Sequence, residues 1–194
     1  KFNKLIKILL TGATGYIGSN LCKHLVENGY TVGIIKRHSS NVQLINSIYK
    51  KISCFNFSGN YKSIFDAMNK FKPDLIIHLA SYQTYQHSSK ELDDILESNI
   101  LLGAYIIEAQ KELNIKYLIN TATYWQNYNL ENYNPVSLHA ACKQAFNNLI
   151  LYYTEKKYIK VITLKLYDTY GPNDPRKKIF FLIKNAIKNN EILN

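Results

Sequence analysis

The feature that most constrains this chain is the turn Thr11-Gly12-Ala13-Thr14-Gly15-Tyr16-Ile17-Gly18. It follows an apolar stretch of strand length, Leu5–Leu10. It precedes a stretch of helical period, Tyr16–Asn28, whose Ile17, Leu21 and Leu25 stand four apart. Gly29 closes that helix. In such a strand–turn–helix unit the first glycine permits a tight turn and the second lets backbone approach a pyrophosphate. The third allows close packing of helix and sheet, and the helix N-terminus offers N–H groups and partial positive charge to phosphates. The spacing is Gly-x-x-Gly-x-x-Gly instead of the commoner Gly-x-Gly-x-x-Gly. The strand and helix around it therefore carry the expectation of dinucleotide binding, against the plainer alternative of a tight turn that binds nothing.

The same alternation continues along the chain. Strands are expected at Thr31–Ile35, Ile52–Phe57, Leu75–Leu79, Lys116–Asn120 and Ile159–Leu166. Helices are expected at 41–49, 62–70, 92–113, 135–155 and 179–188, with Pro73 breaking the chain before the fourth strand. This order predicts an α/β fold, a Rossmann-type doubly wound parallel sheet with helices on both faces. Residues 1–166 form the NAD(P)-binding Rossmann domain in this reading. Residues 167–194 begin a C-terminal substrate-binding lobe whose remainder is absent.

Composition excludes several classes. A hydrophobic share of 46% with 20% charged residues is that of a globular chain. No apolar run reaches membrane-spanning length, and the basic start leads straight into the glycine turn with no cleavage site. A cytoplasmic protein is expected, without a membrane partner. The three cysteines, Cys22, Cys54 and Cys142, have no paired spacing and read as buried or half-buried free thiols. The net charge of +10 invites a nucleic-acid reading. Yet the lysines are scattered and form no block or known binding pattern, so no nucleic acid is expected.

The second strand runs into Lys36-Arg37. An NAD-selective site places an acidic residue there, for the ribose 2′-hydroxyl. Two cations suit a 2′-phosphate instead, with Arg37 able to grip it in bidentate fashion, and favour NADP with NAD as the alternative. The plainer reading is that both face solvent.

Further motifs follow in order: Asp74-Leu-Ile-Ile-His78-Leu79-Ala80, Asn99-Ile-Leu-Leu-Gly103, Thr121-Ala122-Thr123 and Tyr170-Gly171-Pro172. With the glycine turn they make the chain resemble the extended short-chain dehydrogenase/reductases, the superfamily of NAD-dependent epimerases and dehydratases. The stretches 120–126, 133–138, 143–146 and 166–176 are similar to the CDP-3,6-dideoxyhexose 4-reductases, such as the CDP-abequose and CDP-paratose synthases. The resemblance implies an NADP-dependent reductase of a nucleotide-linked 4-keto-deoxysugar, CDP-linked, serving surface polysaccharide. A 4-epimerase is an alternative that Lys36-Arg37 disfavours. Ala122-Thr123 stand where the superfamily's dehydratases carry Asp-Glu, which argues against dehydration.

The resemblance also assigns residues. Gly12, Thr14, Gly15, Tyr16, Ile17, Gly18, Lys36, Arg37, Leu79, Ala80, Asn99 and Lys143 are expected to bind the cofactor. Thr121 and Lys143 match two catalytic positions of a Tyr-x-x-x-Lys mechanism in which lysine holds the nicotinamide ribose and tyrosine exchanges the proton. The tyrosine position holds His139. Three readings stay open: a working histidine variant, a weakened or non-catalytic dinucleotide-binding protein, or a substitution introduced into the chain. A further departure is Phe57-Ser58-Gly59-Asn60, where the family often has an adenine-contacting Asp. Members of the family also run on past the equivalent of Asn194. The helices at 92–113 and 136–155 match the family's dimer interface, so a homodimer is expected. His24, His38, His78 and His87 have no metal-ligand spacing, and no metal is expected.

Overall fold

The computed structural model describes residues 6–172, 174–176, 178–190 and 192. Six strands form one parallel sheet in the order β3-β2-β1-β4-β5-β6. They are β1 (Lys7–Thr11), β2 (Thr31–Arg37), β3 (Ser53–Phe57), β4 (Leu75–His78), β5 (Tyr117–Thr123) and β6 (Lys160–Leu166). The helices are α1 (Tyr16–Glu27), α2 (Tyr61–Phe71), α3 (Leu92–Leu96), α4 (Leu102–Glu112), α5 (Leu138–Glu155) and α6 (Ile179–Asn189). The doubly wound parallel sheet expected from the sequence is thus present, and its order reverses between β1 and β4, where such sheets open a crevice.

Local signals explain most element ends. At the end of α1 the Gly29 N–H donates to Val26 O at 3.1 Å and the Tyr30 N–H to Leu25 O at 3.1 Å, with Gly29 at φ +80°. Asn60 caps α2, accepting the Ser63 N–H at 3.0 Å. Lys72, left-handed at φ 52°, ends that helix ahead of Pro73. Ser137 caps α5 by accepting the Ala140 N–H at 3.2 Å. The expected start at Leu5 lies outside the described residues.

Four elements differ from the sequence reading. The helix expected at 41–49 is a 3₁₀ run, Gln43–Lys51. Strand β2 continues through Lys36 and Arg37, held in register with Asn56 and Phe57, and β5 runs on to Thr123 against Leu166. In both strands the extra residues are fixed by a neighbouring strand, not by local pattern. The helix expected over 92–113 holds a π-helical turn, Glu97–Leu101, between α3 and α4.

Two apolar cores flank the sheet. One joins Leu9, Ile76 and Leu118 with Ile64 and Met68 of α2, Ile106 and Ile107 of α4, and Phe146 and Ile150 of α5. The other joins Ile8, Leu10, Ile34 and Ile77 with Cys22 and Leu25 of α1 and Ile45 of the 3₁₀ run. Cover on this second face stops before the sheet edge. Ile162 is aligned with Ile119, which packs on that core, yet is 63% exposed. Cys22 and Cys142 are buried as expected, and burial pushes both thiols up, Cys22 to about 11. Cys54 is exposed, because it lies on β3 at the sheet's other edge. Among the described residues no helix is long and apolar enough to cross a membrane.

Candidate active site

The glycine turn sits at the crevice between β1 and β4 and packs against the loop after β4. Gly12, at φ +72°, lies so close to that loop that a Cβ would stand 2.6 Å from Ala80 N. A Cβ on Gly18 would stand 2.1 Å from Gly12 O. The third glycine therefore lets α1 close onto the turn itself, a tighter role than helix–sheet packing. The Gly15 N–H donates to Gly12 O at 3.1 Å. Gly15 is also the extended N-cap of α1, whose first turn carries no acidic residue. The free N–H groups of that turn give the cleft its electropositive floor.

Thr11 fastens the opposite wall. Its Oγ1 accepts the Ala80 N–H at 3.1 Å and shares a 2.7 Å hydrogen bond with His78 Nδ1. His78 is a core residue, and burial, followed by the Lys143 charge, lowers its pKa to about 3. The wall that carries Leu79 and Ala80 is thus tied to β1 by a neutral imidazole and a hydroxyl.

Two cavities meet across this wall. The first, of about 280 Å³, is lined by Gly12, Thr14, Gly15, Lys36, Arg37 and Ala80 among others. The second, of about 270 Å³, is lined by Tyr16, Ile17, Gly18, Thr121, His139 and Lys143 among others. Gly12, Gly15, Leu79 and Ser81 border both. The structure therefore gathers the residues singled out from the sequence around one cleft, with one difference. Asn99 lies behind the wall, 1% exposed, its amide donating to Tyr82 O and Ile95 O at 2.9 Å each. It braces the lining.

At the end of the first cavity Lys36 Nζ is engaged, donating to Asn56 Oδ1 at 3.2 Å and to Arg37 O at 3.3 Å. The exposed Arg37 guanidinium makes no hydrogen bond among the described residues. Asp94 and Glu97 face the same cavity from the helical side, so this end is cationic on the sheet side and anionic on the other.

The second cavity gathers Thr121, His139 and Lys143. Lys143 and His139 stand one turn apart on α5 and are 4% and 8% exposed. Lys143 Nζ is buried without a hydrogen-bond partner among the described residues, and burial brings its pKa down to about 8. Burial first, and then the Lys143 charge, lower His139 to about 4, so the ring is neutral at physiological pH. His139 Nε2 lies 2.9 Å from Ser81 Oγ. Thr121 Oγ1 donates to His78 O at 3.0 Å, leaving its lone pairs to the cavity.

The sequence reading missed two residues here. Ser81 directly follows the Leu79-Ala80 motif, but nothing in a serine one residue downstream announces its partner 58 positions away. Arg176 belongs to a recognised motif without a role. Its guanidinium lies over the Tyr16 ring at 4.6 Å and is held by Asp174 at 2.6–2.7 Å. With the Tyr16 hydroxyl donating to Pro172 O at 3.2 Å, it seats the segment after β6 against the start of α1.

Comparison with known proteins agrees with this arrangement. The chain is 32% identical over 193 residues to a CDP-abequose synthase of Yersinia pseudotuberculosis, covering 97% of this chain and 64% of that protein. It is 28% identical over 186 residues to a CDP-abequose synthase of Salmonella muenchen, covering 95% of this chain and 60% of that one. It thus spans less than two thirds of the length of these relatives. In fold it is similar to the Bordetella bronchiseptica enzyme WbmG in complex with NAD, with a TM-score of 0.83 at 18% identity over 99% of this chain and 62% of that one. It is also similar to the Thermus thermophilus UDP-glucose 4-epimerase in complex with NAD, with a TM-score of 0.77 at 22% identity over 87% of this chain and 57% of that one. Residues 8–194 match the NAD dependent epimerase/dehydratase family. The glycine cleft, the buried lysine and this match together make the chain a member of that family.

Proposed function

We propose that the chain is the nucleotide-binding part of a cytoplasmic, NADP-dependent reductase that acts on a nucleotide-linked 4-keto-deoxysugar, CDP-linked as in the CDP-abequose synthases it resembles. One observation carries the reading. A lysine ammonium is buried without a hydrogen-bond partner among the described residues, at the end of a cleft whose other half is a glycine turn. An orphaned buried cation is costly and is kept where a ligand completes it.

The residues present fit a dinucleotide. The space that a Cβ at Gly12 or Gly18 would fill keeps backbone open beside the α1 N-terminus for a pyrophosphate. Lys143 Nζ would hold ribose hydroxyls, and Arg37 a 2′-phosphate. The cofactor, when bound, supplies hydride to the sugar carbonyl. On the substrate side, Tyr170 and Phe180 border a third cavity that shares His139 with the second.

The test is oxidation of NADPH and of NADH with a CDP-4-keto-3,6-dideoxyhexose. Turnover with NADPH well above NADH supports the proposal. Binding of either dinucleotide without turnover, also absent in His139→Tyr, leaves a family member of another activity. The second reading is a non-catalytic dinucleotide-binding protein, favoured by the neutral imidazole at position 139. Turnover restored only in His139→Tyr would establish it for the natural chain. NAD retained through purification, with no net NADPH oxidation, would point instead to a 4-epimerase.

A further inference from the structure

The hydrogen-bond accounting around His139 settles which of its nitrogens carries the proton. Asn99 Nδ2 lies 2.9 Å from two backbone carbonyls, Tyr82 O and Ile95 O. Carbonyls only accept, so both amide hydrogens are used there and Asn99 Oδ1 must face Ser81. Ser81 Oγ lies 2.7 Å from that oxygen and spends its single hydrogen on it. The Ser81 oxygen can then only accept from the group 2.9 Å away on its other side, His139 Nε2. The remaining ring nitrogen, Nδ1, makes no hydrogen bond among the described residues, and the ring borders both the second cavity and its neighbour.

The anchor, Asn99, lies within a π-helical turn. In the turn Glu97–Leu101 the hydrogen-bond ladder shifts by one residue, and the Asn99 amide caps the Ile95 carbonyl four residues back. The chain of dependence therefore runs from Asn99 to Ser81 and to the imidazole.

We propose that Ser81, oriented by Asn99, is a positioning residue that holds His139 as its Nε2–H tautomer, so that the ring meets a substrate as a hydrogen-bond acceptor through Nδ1 and not as a proton donor. Thr121 has the same polarity, since its hydroxyl hydrogen is taken by His78 O. The pair thus receives a sugar hydroxyl and opposes a carbonyl oxygen, whose lone pairs meet lone pairs. Of the three side chains assigned to the chemistry, Lys143 is the one left with a proton to give. If a carbonyl is reduced here, the alkoxide takes a proton from the Lys143 ammonium, whose N–H bond breaks as the O–H bond forms. That last step rests on the reductase reading; the tautomer does not.

The experiment is long-range ¹H–¹⁵N correlation NMR of the ring nitrogens at pH 7, on the protein labelled with ¹⁵N-histidine and on its Ser81→Ala variant. Expected is the Nε2–H pattern for His139 in the wild type, with loss of that single pattern toward Nδ1–H in Ser81→Ala. An Nδ1–H pattern in the wild type overturns the proposal without any variant, and an unchanged His139 pattern in Ser81→Ala overturns the role of Ser81. In turnover, His139→Gln keeps an acceptor but no acid, and is expected to lower kcat while leaving the shape of the pH–rate profile unchanged. Loss of an acid limb from that profile in His139→Gln would mark the ring as the proton donor. Absence of NADPH oxidation by the wild type would fail the reductase reading while the spectra still decide the tautomer.

Discussion

At Lys143 function and stability pull in opposite directions. Its ammonium is buried without a hydrogen-bond partner among the described residues, and burial lowers its pKa from the ordinary 10.5 to about 8. Between these values the unfolded chain binds the proton that the folded chain has released, so stability rises with pH from about 8 to about 10.5. Below that window the full cost of a buried charge is present. Lys143→Met is therefore expected to stabilise the chain at pH 7, by about 1–3 kcal/mol, while weakening dinucleotide binding at least tenfold. Urea denaturation and a cofactor fluorescence titration check the two halves. His78 and His139 set the acid limit by the same linkage. Both are buried neutral, at about 3 and about 4 against an ordinary 6.5. Below 6.5 the unfolded chain gains protons that the folded chain refuses, so stability falls as pH drops from 6.5 through 4 and then 3. Urea midpoints measured from pH 7 to pH 4 should fall steeply in the wild type and less steeply in His139→Gln.

Between elements, close approach of backbones does what side chains cannot. Gly103 on α4 faces the Phe146 ring of α5, and a Cβ there would lie 2.5 Å from ring carbons. Gly103→Ala is expected to cost about 1–3 kcal/mol through overpacking, read as a lower thermal midpoint. Because the Phe146 and His78 rings pack at a steep angle with centroids 5.5 Å apart, the same substitution presses on the wall of the cleft. Element order was legible in the sequence because apolar spacing differs between strand and helix, and because Gly29 and Pro73 punctuate the ends. The glycine turn was legible for a related reason: its chemistry is local. What stayed hidden depends on neighbours distant in sequence. The extension of β2 to Arg37 needs β3 beside it. The π-turn at Glu97–Leu101 leaves the apolar period of the helix nearly unchanged, so nothing in the sequence marks it. Ser81 becomes part of the site only when α5 brings His139 to it.

For the molecule as a whole, the apolar surface is unevenly finished. Around α3, α4 and α5 stand Leu92, Leu96 and Leu101 at 38–41% exposure, with Leu151 and Tyr152 at 55%. Helices that pack on one another, as these do, and still present large apolar side chains outward offer a surface that association would bury. We propose a homodimer through this face. Leu151→Glu with Tyr152→Glu would place two carboxylates in that surface and, in a symmetric pair, two more from the partner. The expected result is a dimer mass for the wild type in light scattering and a monomer mass for the double variant, with the far-ultraviolet spectrum unchanged. The cleft lies at the ends of β1 and β4, and its glycine turn, Arg37 and Lys143 all come from one chain, so the monomer should bind dinucleotide as the wild type does. A double variant that remained dimeric would move the interface elsewhere, and the exposed strip at Ile162 and Leu164 on the sheet edge would be the next surface to charge.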